Sequence, residues 1–259
     1  MRILISNDDG IESTGLEALA AVARLIAEDV WTIAPDSNRS GVGHGISLRQ
    51  PITLTRVGDR RFSCSGTPAD CVIAALTWKF VDAPRPDLVL AGINEGLNVA
   101  EDVAYSGTMA IAREAAFWGI PVISISRPKG LGSYDRGQSQ WLTGLLSSFW
   151  NRRDQWSDDG HWLNLNLPKE IPAEVRHARI GRDKIARRSR VISTDGAQTR
   201  IQIISDRAGT FTDGDENHFI GSGFACVTNL AWHGFRALPD RFCEEWPDQS
   251  AGIRPKQSY

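Results

Sequence analysis

The chain has 259 residues, 41% of them hydrophobic and 23% charged, with a formal net charge of -2, enough apolar material for one substantial core. The near-neutral balance excludes a global basic field of the kind that recruits a nucleic-acid duplex or an anionic membrane, so any anion specificity is local. No run approaches the roughly 18 apolar residues of a membrane span, and "MRILISNDD" is too short and too soon acidic for a signal peptide. The four cysteines, Cys64, Cys71, Cys226 and Cys243, form no C-x-x-C pair. Buried free thiols in a reducing cytoplasm are the expectation.

Short apolar runs alternate with helical patterns through the first two-thirds of the chain. "RILIS" (2–6) is the first strand, followed by a helix over 14–28 with Thr14 and Glu17 at capping-box spacing. "VWTIA" (30–34) is a second strand, and 52–66 reads as shorter β pieces. A helix over 67–80 follows, with Thr67 as N-cap and Pro68 at the first helical position, where a missing N–H costs nothing. "DLVLAG" (87–92) is a further strand, and a polar loop leads to a helix over 108–119 and a strand over 122–126. A Trp-rich helix at about 136–151 precedes "LNLNLP" (163–168), which reads as the last core strand. This rhythm predicts a doubly wound, mostly parallel α/β sheet.

After residue 170 the rhythm is lost. Residues 190–204 read as a hairpin turning at Asp195-Gly196, and 171–259 as a β-rich extension that covers the core, returns to it, or reaches a neighbouring subunit. The nine tryptophans, notably Trp141, Trp150, Trp156 and Trp162, are read as core and interface packing.

In open α/β sheets ligands bind at the carboxyl ends of the parallel strands. That edge collects Asn7-Asp8-Asp9-Gly10, Asn38-Arg39-Ser40-Gly41 and the loop from Gly92 to Asn98. Among their side chains are two adjacent carboxylates, a hydroxyl and the amides of Asn94 and Asn98, a hard-oxygen set suited to Mg²⁺, Mn²⁺ or Ca²⁺. A divalent cation makes two adjacent aspartates mutually supportive; the plainer reading is a tight turn in which one of them caps the next helix. Ser106-Gly107-Thr108 opens a helix whose free N–H groups and dipole favour a phosphate. His44 reads either as a proton donor or as a locally bonded loop residue. The basic run Arg179, Arg182, Lys184, Arg187, Arg188, Arg190 reads as a solvated face or, more sharply, as a collar for anionic substrate or for another subunit.

"MRILISNDDGIESTGLEALA", "APDSNRSGVGHGISL", "SGTPADCV" and "PDLVLAGINEGLNVAEDVAYSGTMAIAREAAFWGIPVISIS" resemble, in order, the signature blocks of SurE, the stationary-phase survival family of metal-dependent 5'-nucleotidases. The resemblance implies a Rossmann-like three-layer αβα core over 1–170 and a C-terminal arm exchanged in a homodimer or homotetramer. It also implies hydrolysis of nucleoside monophosphates, with 3'-nucleotides or short polyphosphate as further substrates. It assigns one divalent cation, Mg²⁺ or Mn²⁺, to Asp8, Asp9, Ser40 and Asn94, and substrate contacts to Asn98, Ser106, Gly107 and Thr108. Thr14 stands where the family usually has Pro, and Thr228-Asn229-Leu230 where it has Thr-Pro-Leu. The expected mechanism is attack by an activated water, with Asp8 or Asp9 as general base. A non-catalytic nucleotide sensor and a broad acid phosphatase are the alternatives.

Overall fold

The computed structural model describes residues 1–233; the polar end of the chain, with Cys243, lies outside the described residues. Strand β1 is Arg2–Ser6 and leads into helix α1, Thr14–Ile26. The cap of α1 differs from the capping-box expectation: Ser13 is the N-cap, and its side chain accepts from the Leu16 amide. Ser13 is in turn held by Asn7 Nδ2, so the turn after β1 supplies the cap and Thr14 becomes the first helical residue. Neither Asp8 nor Asp9 caps α1.

Strand β2 (Asp29–Pro35) is followed by the short strands β3 (Leu54–Gly58) and β4 (Arg61–Cys64). Helix α2 (Pro68–Ala74) starts at Thr67, as its Thr-Pro signal predicts, with Asp70 completing a capping box, and it finishes in a wider turn over Ala75–Lys79. Strand β5 (Leu88–Glu95) runs past the predicted end at residue 92. A short helix α3 (Asp102–Tyr105) precedes α4 (Gly107–Phe117), and β6 (Val122–Arg127), α5 (Arg136–Asn151) and β7 (His161–Asn166) complete the regular alternation.

The remaining strands are β8 (Val175–His177), β9 (Arg188–Asp195) and β10 (Gln198–Ile204); helix α6 (Glu216–Gly221) then leads to β11 (Ala225–Ala231). The main sheet has the order β3-β4-β2-β1-β5-β6-β7-β11-β8. Its central strands are parallel, β3 is antiparallel to β4, and β11 is antiparallel to β7. β7 is therefore an interior strand, not the last of the sheet. Thr228 and Leu230 pair with Asn164 and Trp162 across that seam. Among the described strands only the β9–β10 hairpin stands apart, pairing Asp195 with Gln198 around its turn.

Alternation along the strands sends side chains to two separate cores. Ile3 and Ile5 pack with Leu16, Leu19, Leu142, Leu146 and Phe149 beneath α1 and α5. Leu4 packs with Val72, Met109, Ile111 and Ala115 beneath α2 and α4. These are the three αβα layers. Trp156 and Trp162 are buried in the two cores, and Trp141 and Trp150 pack against the first. The chain winds outward in both directions from β1 and β5, so the crevice between their carboxyl ends is the switch point of the sheet, where such folds bind ligands.

Candidate active site

The turn that ends β1 is built on Asn7, whose Nδ2 donates to the Gly10 carbonyl at 3.1 Å. This leaves Asp8 and Asp9 projecting at the switch point. Asp8 is only 3% exposed, because α4 begins directly against it. Thr108 Oγ1 donates to Asp8 Oδ1. A Cβ on Gly107 would lie 2.6 Å from Asp8 Cβ and 2.9 Å from Pro68 Cγ, so only glycine permits this approach. Burial pushes the Asp8 carboxyl up from 3.8 to about 6; the Thr108 hydrogen bond offsets part of that rise, and neighbouring Asp9 adds to it.

Asp9 is half-buried and is also raised, chiefly by burial. Its Oδ2 accepts the Glu95 amide at 3.1 Å, and Asn38 Nδ2 stands 3.5 Å from its Oδ1. Glu95 is fixed in turn by Arg127, a fully buried guanidinium whose Nε donates to Glu95 Oε1 at 3.0 Å and whose other nitrogens donate to the Gly132 and Leu131 carbonyls.

Ser40, on the loop after β2, and Asn94, near the end of β5, line the same cleft as Asp8. The Arg39 amide donates to the Asp8 carbonyl at 2.7 Å, which draws the β2 loop onto the turn after β1. Asn94 Nδ2 donates to the Gly96 carbonyl at 2.6 Å, turning its Oδ1 free. Neither that oxygen nor Ser40 Oγ is engaged by another described residue. Two adjacent carboxylates, both raised by burial and neither in an ion pair with a described residue, together with two free neutral oxygens, fit a divalent cation. Among the described residues no three His, Cys, Asp or Glu side chains form a metal cluster, so the set depends on Ser40 and Asn94 to complete it.

Asp8, Ser40 and Asn94 line a cleft of about 1040 Å³, with Asn98 and Ser106 on the same wall. Ser106 caps α4, accepting from the Met109 amide at 3.2 Å, and its own proton is free to donate into the cleft. Thr108 is fully buried and gives its proton to Asp8. Asn98 is built into a buried polar network: its Nδ2 donates to Ser126 Oγ at 2.8 Å, and its carbonyl accepts from Asn164 and Asn166.

The opposite wall comes from the C-terminal extension. Lys184, Arg187, Arg188 and Arg207 line it, with Lys129 and Tyr105 at its margins. Lys184 Nζ sits 4.3 Å from the Tyr105 ring centroid and donates to its hydroxyl at 2.5 Å. Of the basic run, Arg179, Arg182 and Arg190 are turned elsewhere, to the Asp213 carbonyl, Glu101 and Gln202. Glu95 lies in the Gly92–Asn98 loop already gathered at this edge; Lys129, Tyr105 and Arg207 carry no local sequence signal, and chain folding alone brings them here.

The chain matches the family described as Survival protein SurE over residues 3–189. It is 49% identical over 179 residues to the 5'-nucleotidase SurE of Methylorubrum populi, covering 68% of this chain and 69% of that protein. It is 38% identical over 188 residues to the 5'-nucleotidase SurE of Paramagnetospirillum magneticum, covering 70% and 69%. The crystal structure of the SurE protein from Aquifex aeolicus is similar with a TM-score of 0.71 at 29% identity, covering 89% of this chain and 93% of that one.

A carboxyl that holds its proton more tightly when folded lowers stability as pH rises from its unfolded value through its folded one. For Asp8 that window runs from 3.8 to about 6. Asp8→Asn is therefore expected to stabilise the metal-free protein at about pH 8, by up to about 3 kcal/mol. The advantage disappears below about pH 4. Urea denaturation at the two pH values checks both statements.

Proposed function

The chain belongs to the survival protein SurE family, and from that premise we infer that its nucleotidase activity is the metal-dependent hydrolysis of nucleoside monophosphates to nucleoside and phosphate. The observation that carries this reading is the adjacent aspartate pair at the switch point of the sheet, Asp8 buried beneath the N-terminus of α4 and Asp9 half-buried beside it, neither paired with a described cation.

Asp8, Asp9, Ser40 and Asn94 would hold the cation. When bound, it supplies Lewis acidity toward water and a phosphoryl oxygen, and offsets the charge that develops there. The remaining work falls to the chain. Ser106 Oγ and the dipole of α4 hold the phosphate. Gly107 and Thr108 act through Asp8, the one by allowing close approach and the other by fixing the carboxylate rotamer. Asn98 shapes the wall on which the phosphate rests. Either aspartate is placed to accept the proton of the attacking water.

Lys184, with Arg187 and Arg188 sharing the Asp206 carboxylate between them, leaves this wall with a positive excess that draws an anionic substrate toward the cleft. No helix among the described residues is long and apolar enough to cross a membrane. The buried free thiols Cys64, Cys71 and Cys226 support a reducing compartment, the cytoplasm. The β9–β10 hairpin exposes Val191 and Ile201 on one face, 61% and 57% accessible. A two-stranded hairpin is marginal alone, which supports a second copy of the chain covering it in a dimer or tetramer.

Phosphate release from AMP with Mn²⁺ tests the activity. Chelation by EDTA is expected to abolish it, and Asn94→Ala to lower kcat/KM by about 100-fold or more. Turnover that survives chelation, or binding without turnover, contradicts the reading, and equal rates on AMP and a simple aryl phosphate would make it a broad phosphatase. Light scattering tests the assembly. The double substitution Val191→Asp with Ile201→Asp is expected to give a monomer from an oligomeric parent, and a monomeric parent contradicts the assembly.

A further inference from the structure

Ser40 sits on a loop without regular structure between β2 and β3, and Ser40, Gly41 and Val42 are exposed. The near end of this loop is tied to the site through the Arg39 amide and through the Ser40 amide, which donates to Asn38 Oδ1 at 2.9 Å. The far end is tied to the region of α4. The Gly43 amide donates to the Tyr105 carbonyl at 3.0 Å, and His44 Nε2 lies 2.9 Å from Glu114 Oε2. The His44 imidazole also stacks on Phe117, with ring centroids 5.4 Å apart and planes 16° from parallel.

Glu114 is 8% exposed. Its other oxygen accepts Trp118 Nε1 at 2.9 Å, and among the described residues the partner of its Oε2 is His44. A buried carboxylate deprived of its partner is costly, so Glu114 retains His44. Glu114 belongs to the same helix whose first turn places Thr108 on Asp8. One rigid element thus grips the aspartate with its first turn and the Ser40 loop with a later one.

We propose that His44 is a positioning residue which, through Glu114, holds Ser40 against the aspartate pair and so sets the affinity for the divalent cation. The proposal rests on the metal reading given above. Without the latch, Ser40 is an exposed loop residue that must be ordered when the cation binds; with it, that entropic cost is met during folding. Partners that orient a metal ligand from outside the ligand set are typically worth about 10–100-fold in affinity.

The test is calorimetric titration of Mn²⁺ alone into the metal-free full chain, with thermal denaturation in parallel, for the parent, Asp8→Asn, His44→Ala and His44→Gln. His44→Ala is expected to stay folded with a lowered Tm, because Glu114 loses its partner, to bind Mn²⁺ about tenfold or more weakly, and to regain kcat at saturating Mn²⁺. His44→Gln, whose amide also reaches Glu114, is expected to bind as the parent does. Unchanged affinity in folded His44→Ala, or a glutamine variant as weak as the alanine one, overturns the proposal. Should the alanine variant not fold, His44→Leu, which keeps the packing on Phe117, takes its place in the same comparison. If Asp8→Asn binds Mn²⁺ like the parent, the metal assignment fails, and the latch fails with it.

Discussion

Asp8 is taken out of water without a described cation to pair it, and the surrounding structure is arranged so that it stays there. Its carboxylate accepts one hydroxyl, from Thr108, at the start of α4. That contact exists because position 107 has no Cβ to hold the helix away. Desolvation of this kind raises the carboxyl toward neutrality and is tolerated in a fold only when something repays it. In the function proposed above, a divalent cation would repay it.

The rest of the site consists of elements brought to that carboxylate from different parts of the sheet. β1 and β5 are neighbours, which puts Asn94 and the Glu95 amide within reach of the aspartate pair. Arg127, at the end of β6, is buried entirely to fix Glu95. β2 sends its loop over the turn after β1 and secures it through the Arg39 amide. The polar network of Asn98, Ser126, Asn164 and Asn166 stiffens the wall behind. Each contact spans a long sequence separation, so the geometry of the site is a property of the whole sheet rather than of one motif.

Much of this was legible in the chain itself. Continuous apolar runs such as Arg2–Ser6 and Val122–Arg127 belong to strands covered on both faces, and the Thr67-Pro68 pair marked the start of α2. The edge rule gathered Asp8, Ser40 and Asn94, which line one cleft; Asp9 follows Asp8 but is not among the lining residues. The cap of α1 was misplaced because Ser13 and Thr14 are both capable caps and only the turn made by Asn7 selects between them. β11 escaped notice as a core strand because it joins antiparallel to β7, outside the βαβ rhythm that identified the others. Which of the six basic residues face the cleft had no local signature, since the path of the extension between β8 and β11 decides it. The Thr228-Asn229-Leu230 departure from the family pattern lies on β11, at its seam with β7, where Thr228 pairs with Asn164.

The central claim is that Asp8, Asp9, Ser40 and Asn94 form one cation site. Anomalous X-ray diffraction from crystals grown with Mn²⁺ tests it most directly. The account predicts a single strong anomalous peak at the carboxyl ends of β1 and β5, with oxygens of all four residues around it. A cleft with no peak, or a peak held by other side chains while Asp8 remains bonded only to Thr108, would contradict it.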